Sequence, residues 1–225
     1  MDVAAAFPSV ARGCLIKRMR KMNIDEELVR WVGSFMQDRR VRMVIDGREE
    51  EEIEVVTGLP QGSSVSPLLF NIYISGVHEV CEAGGLVRGL SFVDDVTWVA
   101  QGRSVQEIRL KLEAAARRAI AWGGTSGVTF EEGKTEAILF SRNRRHWKDR
   151  GQVAITVGAN RVPFNIKATR WLGIYLDSRL SFTEHTRISA RKARTAEGRL
   201  RSMVARHGVP PLSARHLRRP SWVRQ

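Results

Sequence analysis

An α+β fold is predicted for this chain of 225 residues on three observations. Helix-like and strand-like segments alternate irregularly, without the repeated strand–helix–strand order of a doubly wound sheet. Asp46-Gly47 sits between two alternating runs, a strong signal for a two-residue hairpin turn. Two long apolar-spaced segments begin at helix-start signals, Ser66-Pro67 and Ser104-Val105-Gln106-Glu107.

The elements follow in order. Leu15 to Met22 and Glu27 to Met36 carry helical apolar spacing, with Asp25 as the cap of the second. Val41 to Ile45 and Ile53 to Thr57 form the two arms of the hairpin. The acidic run Glu49 to Glu52 beside its turn is read as a solvated face, because like charges are tolerable there only in water. Gly58 to Ser64 is a loop feeding a helix from Leu68 to Val80, and a strand pair follows, Gly89 to Phe92 and Val96 to Ala100. A second long helix is expected to stop at Gly123-Gly124. Val128 to Phe140 reads as strand, turn and strand around Glu131-Glu132-Gly133-Lys134, Val153 to Val157 and Arg170 to Leu176 as short strands, and the remainder as basic helices with a disordered end from Pro210 to Gln225.

A chain of this length with 43% hydrophobic residues can bury a core and suits one or two domains. Cys14 and Cys81 lie far apart with no ligand-spaced partner, so neither a disulfide framework nor a zinc site is supported. No apolar run approaches the ~18 to 20 residues that span a bilayer, and the start lacks the order of a signal peptide. The chain therefore reads as soluble and intracellular, with no membrane partner.

Lys and Arg number 37 against 24 Asp and Glu, a formal net charge of +13, which implies a polyanionic partner and points to nucleic acid first. The excess is concentrated at the end. Eleven Lys or Arg, among them Arg191, Lys192, Arg194, Arg199 and Arg201, face a single acid, Glu197, between Arg187 and Gln225. Smaller basic clusters occur at Arg12 to Lys21 and Arg142 to Arg150. Phosphate contacts made this way give affinity without sequence preference and weaken steeply with salt.

Ser91-Phe92-Val93-Asp94-Asp95-Val96 places two adjacent carboxylates at the end of a strand. Taken alone, the pair is most often a strand entering a solvated turn. The alternative is a site for divalent cations, since hard oxygen ligands suit Mg²⁺.

Five strings favour the alternative. Asp2-Val3-Ala4-Ala5-Ala6-Phe7, Gly58-Leu59-Pro60-Gln61-Gly62-Ser63-Ser64-Val65-Ser66-Pro67, Phe92-Val93-Asp94-Asp95, Gly133-Lys134-Thr135-Glu136 and Trp171-Leu172-Gly173 resemble, in this order, the palm motifs of reverse transcriptases, most closely those of non-LTR retrotransposons. The resemblance covers roughly residues 2 to 206. It implies a right-hand polymerase palm, an antiparallel sheet covered by helices, over 1–180, and a basic, thumb-like helical segment over 181–225.

The resemblance also implies chemistry. RNA-directed DNA synthesis joins a deoxynucleotide to a primer 3′ hydroxyl using two metal ions about 3.5 to 4 Å apart. Asp2, Asp94 and Asp95 are carried over as ligands of two Mg²⁺ ions, with Mn²⁺ as a substitute, Asp2 and Asp94 being indispensable and Asp95 supporting. Phe7 matches the steric gate against a ribose 2′ hydroxyl, and Gln61 and Gly62 the loop against the incoming dNTP and template. Lys134 matches a proton donor to the departing pyrophosphate. Trp171, Leu172 and Gly173 match the grip on the primer end, and the basic helices a surface for an RNA template and DNA primer, held by backbone and shape. A nuclear location follows from the same resemblance.

Two departures stand out. Glu131 occupies the position where the family carries Asn, three residues before the lysine. The chain begins one residue before Asp2, so the fingers of the family are expected to be missing and Asp2 to lie at a frayed terminus. The alternative function is a catalytically inactive remnant that binds nucleic acid through its basic segments; an RNA-dependent RNA polymerase palm is disfavoured by Phe7.

Overall fold

The computed structural model describes residues 1–143, 146, 153–165 and 167–207. The elements, in chain order, are β1 (Asp2–Ala4), α1 (Arg12–Lys21), α2 (Glu26–Phe35), β2 (Arg40–Val41), β3 (Val44–Ile45), β4 (Arg48–Glu49), β5 (Ile53–Glu54), α3 (Ser66–Glu82), β6 (Val87–Phe92), β7 (Asp95–Ala100), α4 (Val105–Ser126) and β8 (Thr129–Glu131). A 3₁₀ turn (Glu132–Lys134) follows, then β9 (Ala154–Val157), β10 (Asn160–Pro163), β11 (Ala168–Trp171), β12 (Ile174–Asp177) and α5 (Thr183–His207).

Two compact units result: residues 1–137 with 143–164, and residues 138–142 with 165–225. The first is built on a four-stranded sheet in the order β6-β7-β1-β8, every neighbouring pair antiparallel. Helices α3 and α4 pack on each other and on this sheet. Phe70, Tyr73, Ile74 and Val77 of α3 and Ala119 of α4 are buried there with Val3, Val96 and Phe130 of the strands. Mixed helices and antiparallel sheets match the α+β expectation.

Local chemistry explains most boundaries. Asp25 Oδ1 accepts the Glu27 N–H at 2.7 Å, capping α2 as expected. Ser104 Oγ accepts from Glu107 N at 3.1 Å, but the Glu107 carboxylate reaches back to Arg103 N instead of to Ser104, so the box is displaced by one residue. Asp46 and Gly47 both have positive φ, as a type I′ turn requires. The hairpin they close is two short ladders, β3–β4 and β2–β5. Arg42 pairs with Glu49 and with Glu52 at 2.8 Å, so two of the four acids of this exposed run have an ion-pair partner.

Four expectations are corrected. Helix α4 does not stop at Gly123-Gly124 but runs to Ser126 and ends at Gly127, φ 70°. The reason is packing: a Cβ on Gly123 would lie 2.4 Å from the Val128 carbonyl oxygen, so this glycine serves the close approach of β8, and the left-handed residue is the later one. The strand expected to return after Lys134 is reduced to an isolated parallel bridge between Ala137 and Phe164. Arg170 to Leu176 is not one strand but parts of the β11–β12 hairpin, turned at Leu172-Gly173, both at positive φ. The basic end is a single helix, α5, as far as residue 207. The expected disorder after Pro210 and the basic residues Arg144, Arg145, Lys148 and Arg150 lie outside the described residues. Among the described residues no helix is long and apolar enough to cross a membrane.

Candidate active site

Alternation along three adjacent strands creates the site. Successive residues of a strand face opposite sides, and Val3, Val96 and Phe130 are buried on the core side of β1, β7 and β8. Their neighbours Asp2, Asp95 and Glu131 are thereby set on the other side. The register aligns them: Asp2 stands directly opposite Asp95 on one flank and Glu131 on the other. A slip of one residue would drive all three acids into the core, so hydrophobic burial itself fixes the row.

Asp2 is not frayed. Its strand lies between β7 and β8, with Val3 N donating to the Asp94 carbonyl at 3.0 Å and Val96 N to the Met1 carbonyl at 2.9 Å. The Met1 amino group donates to the Val96 carbonyl at 2.8 Å, and burial lowers its pKa. Pairing on both edges holds the short β1 segment despite its position in the chain.

Between Phe92 and Asp95 the chain reverses in two residues, Val93 and Asp94. Val93 adopts φ 53°, which a β-branched side chain rarely tolerates, and its packing against the core offsets that strain. Asp94 is exposed at the tip. From below, α3 steadies the hairpin: a His78 ring nitrogen lies 3.0 Å from Ser91 Oγ, and Glu82 accepts the Gly89 N–H at 2.6 Å. A Cβ on Gly89 would meet His78 Nδ1 at 2.0 Å, so glycine leaves the space that the His78 ring occupies.

The row carries electrostatic tension. Burial raises the Asp95 pKa, and the charge of Asp2, a hydrogen bond shared with Asp2 and the charge of Asp94 raise it further. At the other end of the row the Lys134 ammonium pairs with the Glu131 carboxylate. That hydrogen bond raises the Lys134 pKa, with Asp2 adding a smaller attraction. Among the described residues no three His, Cys, Asp or Glu side chains gather at metal-binding spacing. Two carboxylates, Asp2 and Asp95, do meet. Mg²⁺ keeps part of its water shell and takes one or two carboxylates plus phosphate oxygens, so the pair fits such an ion and its mutual repulsion would be relieved by one.

Phe7 and the loop from Gly58 are joined by backbone bonds. Leu59 N donates to the Phe7 carbonyl at 2.8 Å and Gly58 N to the Val10 carbonyl at 2.9 Å. Gly58 has φ 85°, and a Cβ there would lie 2.7 Å from Pro8 Cα, so this contact demands glycine. The Phe7 ring is half-buried, edge-on to Phe70 with centroids 5.7 Å apart. Ser66, fully buried, donates from Oγ to the Pro60 carbonyl at 2.6 Å and ties the loop to the start of α3. Gln61 and Gly62 are left exposed at its tip, Gly62 with φ 89°.

The remaining expected residues belong to the second unit. Trp171, Leu172 and Gly173 form the turn end of the β11–β12 hairpin. Asp177 accepts from Arg179 N, Ser181 N and Phe182 N and so fixes the entry to α5. On α5, Arg191, Lys192 and Arg199 share one helix face with Thr195 and Leu200. The Lys192 ammonium lies 6.0 Å from the Tyr175 ring centre, a cation–π distance. Arg201 is paired with Glu197 at 2.9 Å, whereas Arg191, Lys192, Arg194 and Arg199 have no ion pair among the described residues.

For three residues already in view, only the structure shows the role. Glu131 is visible only as a departure from a pattern until the register places it beside Asp2. Gly58 and Ser66 carry the loop, and their signal was local: a glycine before Leu-Pro, and a serine immediately before the helix-opening proline.

Comparison with known proteins agrees with this geometry. The family model for reverse transcriptase (RNA-dependent DNA polymerase) matches residues 1–176. Over 147 residues, 65% of this chain, it is 29% identical to the Retrovirus-related Pol polyprotein from type-1 retrotransposable element R1 of Nasonia vitripennis, covering 43% of that protein. It is 24% identical over 211 residues, 91% of this chain and 22% of the relative, to the RNA-directed DNA polymerase from mobile element jockey of Drosophila melanogaster. To the probable RNA-directed DNA polymerase from transposon X-element of the same fly it is 27% identical over 179 residues, 77% of this chain and 18% of the relative. The chain thus spans less than half the length of these relatives. Because the family match takes in the acidic row, the loop after Gly58, the Lys134 turn and the Trp171 hairpin, and extends over most of the sequence, the chain belongs to the reverse transcriptase (RNA-dependent DNA polymerase) family.

Proposed function

We propose that this chain is the nucleotidyl-transfer domain of an RNA-directed DNA polymerase, part of a retrotransposon polyprotein, acting on an RNA template, a DNA primer and dNTPs. The observation that carries the reading is the direct opposition of Asp2 and Asp95, with Asp94 at the adjoining turn. Family membership and the relatives' printed names support it.

Asp2, Asp94 and Asp95 would hold two Mg²⁺ ions, or Mn²⁺ in their place, which supply activation of the primer hydroxyl and neutralisation of the triphosphate. Phe7 bounds the sugar position and Gln61 and Gly62 meet the incoming nucleotide and template, a reading supported by the backbone bond that joins Leu59 to Phe7. Lys134 meets the triphosphate and protonates the departing pyrophosphate. Trp171, Leu172 and Gly173 hold the primer end, and Arg191, Lys192, Arg194, Arg199 and Arg201 contact phosphates of the hybrid. In this reading the first 180 residues are palm and the rest the beginning of a thumb, and the protein works in the nucleus.

Primer extension on an RNA template tests it. Extension that requires Mg²⁺ and is abolished by Asp2→Asn and by Asp94→Asn is the expected result; extension unchanged in either variant overturns it. A second reading, an inactive remnant that binds nucleic acid through its basic segments, draws on Arg191, Lys192, Arg194 and Arg199 of α5, which have no ion pair among the described residues. It predicts no extension with any metal, yet binding about a thousandfold weaker at moderate than at low salt if some six phosphates are engaged.

A further inference from the structure

We propose that Glu131 is a positioning residue for Lys134: it stores the lysine ammonium one strand away from Asp2, and the triphosphate of an incoming nucleotide takes that ammonium over in exchange. The inference rests on the reading of Lys134 as the residue that meets the triphosphate.

Three features of the turn carry it. Glu131 closes β8 directly across from Asp2, so its carboxylate extends the acidic row at the end away from Asp95. Its partner is Lys134, three residues on, and the two side chains are 36% and 63% exposed. An ion pair this open to water is weak, so a triphosphate can displace the carboxylate. The turn itself is anchored by a different residue. Glu132 accepts from Ala159 N at 3.3 Å and from Asn160 Nδ2 at 3.2 Å, fastening the 3₁₀ turn to the β9–β10 connection. Neighbouring glutamates therefore divide two tasks: Glu132 holds the backbone, which leaves Glu131 free to hold the ammonium.

Charge explains why an exchange is favourable. Three acids in a row repel an approaching triphosphate unless cations stand among them, and the ammonium is already at the row's edge. Moving it onto the phosphates places a positive charge on the substrate and leaves Glu131 to solvent, where its ionised form is well hydrated.

Two measurements on the full 225-residue chain test the exchange. In the first, Lys134 is labelled with an amine-reactive reagent and read by peptide mass spectrometry. Glu131→Gln is expected to raise its labelling rate about threefold, the range of an exposed ion pair, and Mg²⁺ with dTTP to slow labelling in the unaltered chain. Unchanged labelling in Glu131→Gln, or no protection by Mg²⁺ with dTTP, overturns the proposal. In the second, Glu131→Gln lowers the KM for dNTP about threefold with kcat unchanged, and this effect vanishes in a Lys134→Ala background. A KM effect that persists without Lys134 overturns it, because simple removal of a charge would then suffice. Glu131→Asp should restore the original KM. Loss of extension in the unaltered chain counts against the polymerase reading, whereas normal extension with no Glu131 effect counts against the exchange alone.

Discussion

Asp2 and Asp95 face each other directly across β1 and β7, two carboxylates brought together by strand register. Like charges opposite one another on adjacent strands are destabilising, by about 0.2 to 1 kcal/mol. Asp95→Asn should therefore raise the thermal stability of the metal-free chain by about 0.5 kcal/mol while impairing primer extension. Adding Mg²⁺ should raise the melting temperature of the unaltered chain, by about 1.4 kcal/mol of stability at ten times Kd, and have no such effect on Asp2→Asn. Calorimetry with and without a chelator reads both.

Phe7 is half-buried against Phe70 and tethered through its carbonyl to Leu59. If its exposed part bounds the sugar, Phe7→Ala relaxes discrimination against ribonucleotides on the order of tenfold to a hundredfold. Paired measurements of kcat/KM for dNTP and rNTP give the ratio. An unchanged ratio would assign Phe7 to the core alone.

Gly123 and Gly124 are adjacent on α4 and should respond oppositely to alanine. At Gly123 the new Cβ meets the Val128 carbonyl at 2.4 Å, and a backbone atom cannot yield without moving β8, so a loss of about 1 to 3 kcal/mol is expected. At Gly124 nothing lies within 4 Å, and alanine should add about 0.5 to 1 kcal/mol through helix propensity. Denaturant titration of the two variants checks the contrast.

Glu113 is a buried carboxylate on α4 that accepts the Thr156 N–H at 2.9 Å and two bonds from Arg109, joining α4 to β9. Burial pushes its pKa up, but the bonds from Thr156 and Arg109 outweigh burial and leave it lowered. A lowered folded pKa contributes stability that is fully present above the unfolded value of about 4.3. That stability is lost as pH falls through the folded value. Melting temperatures between neutral and acid pH should therefore fall less steeply in Glu113→Gln than in the unaltered chain. Glu113→Ala should cost about 1 to 3 kcal/mol at neutral pH.

Much of the site was legible before the fold was known. Asp94-Asp95 at a strand end, the Gly58 loop before Ser66-Pro67, and Lys134 in a turn are local patterns, and local patterns are what turn chemistry and apolar periodicity report. The hairpin at Asp46-Gly47 and the Asp25 cap were fixed for the same reason: each depends on a few consecutive residues with particular backbone needs.

What the sequence by itself determined was the class of fold, the order of the motifs and the chemical type of each candidate residue. Only the tertiary structure decided their neighbours. That Asp2 is an inner-strand residue and not a frayed end depends on β7 and β8 pairing to both sides of three residues. That Glu131 stands beside Asp2 depends on a register between segments some 130 residues apart, set by burial of Val3 against Phe130. The end of α4 was decided likewise, because Gly123 answers to the carbonyl of Val128, which leads into the following strand, and not to its own helix. Periodicity tells a segment which face to bury; which partner meets that face is settled by close packing, a property that no short stretch of residues contains.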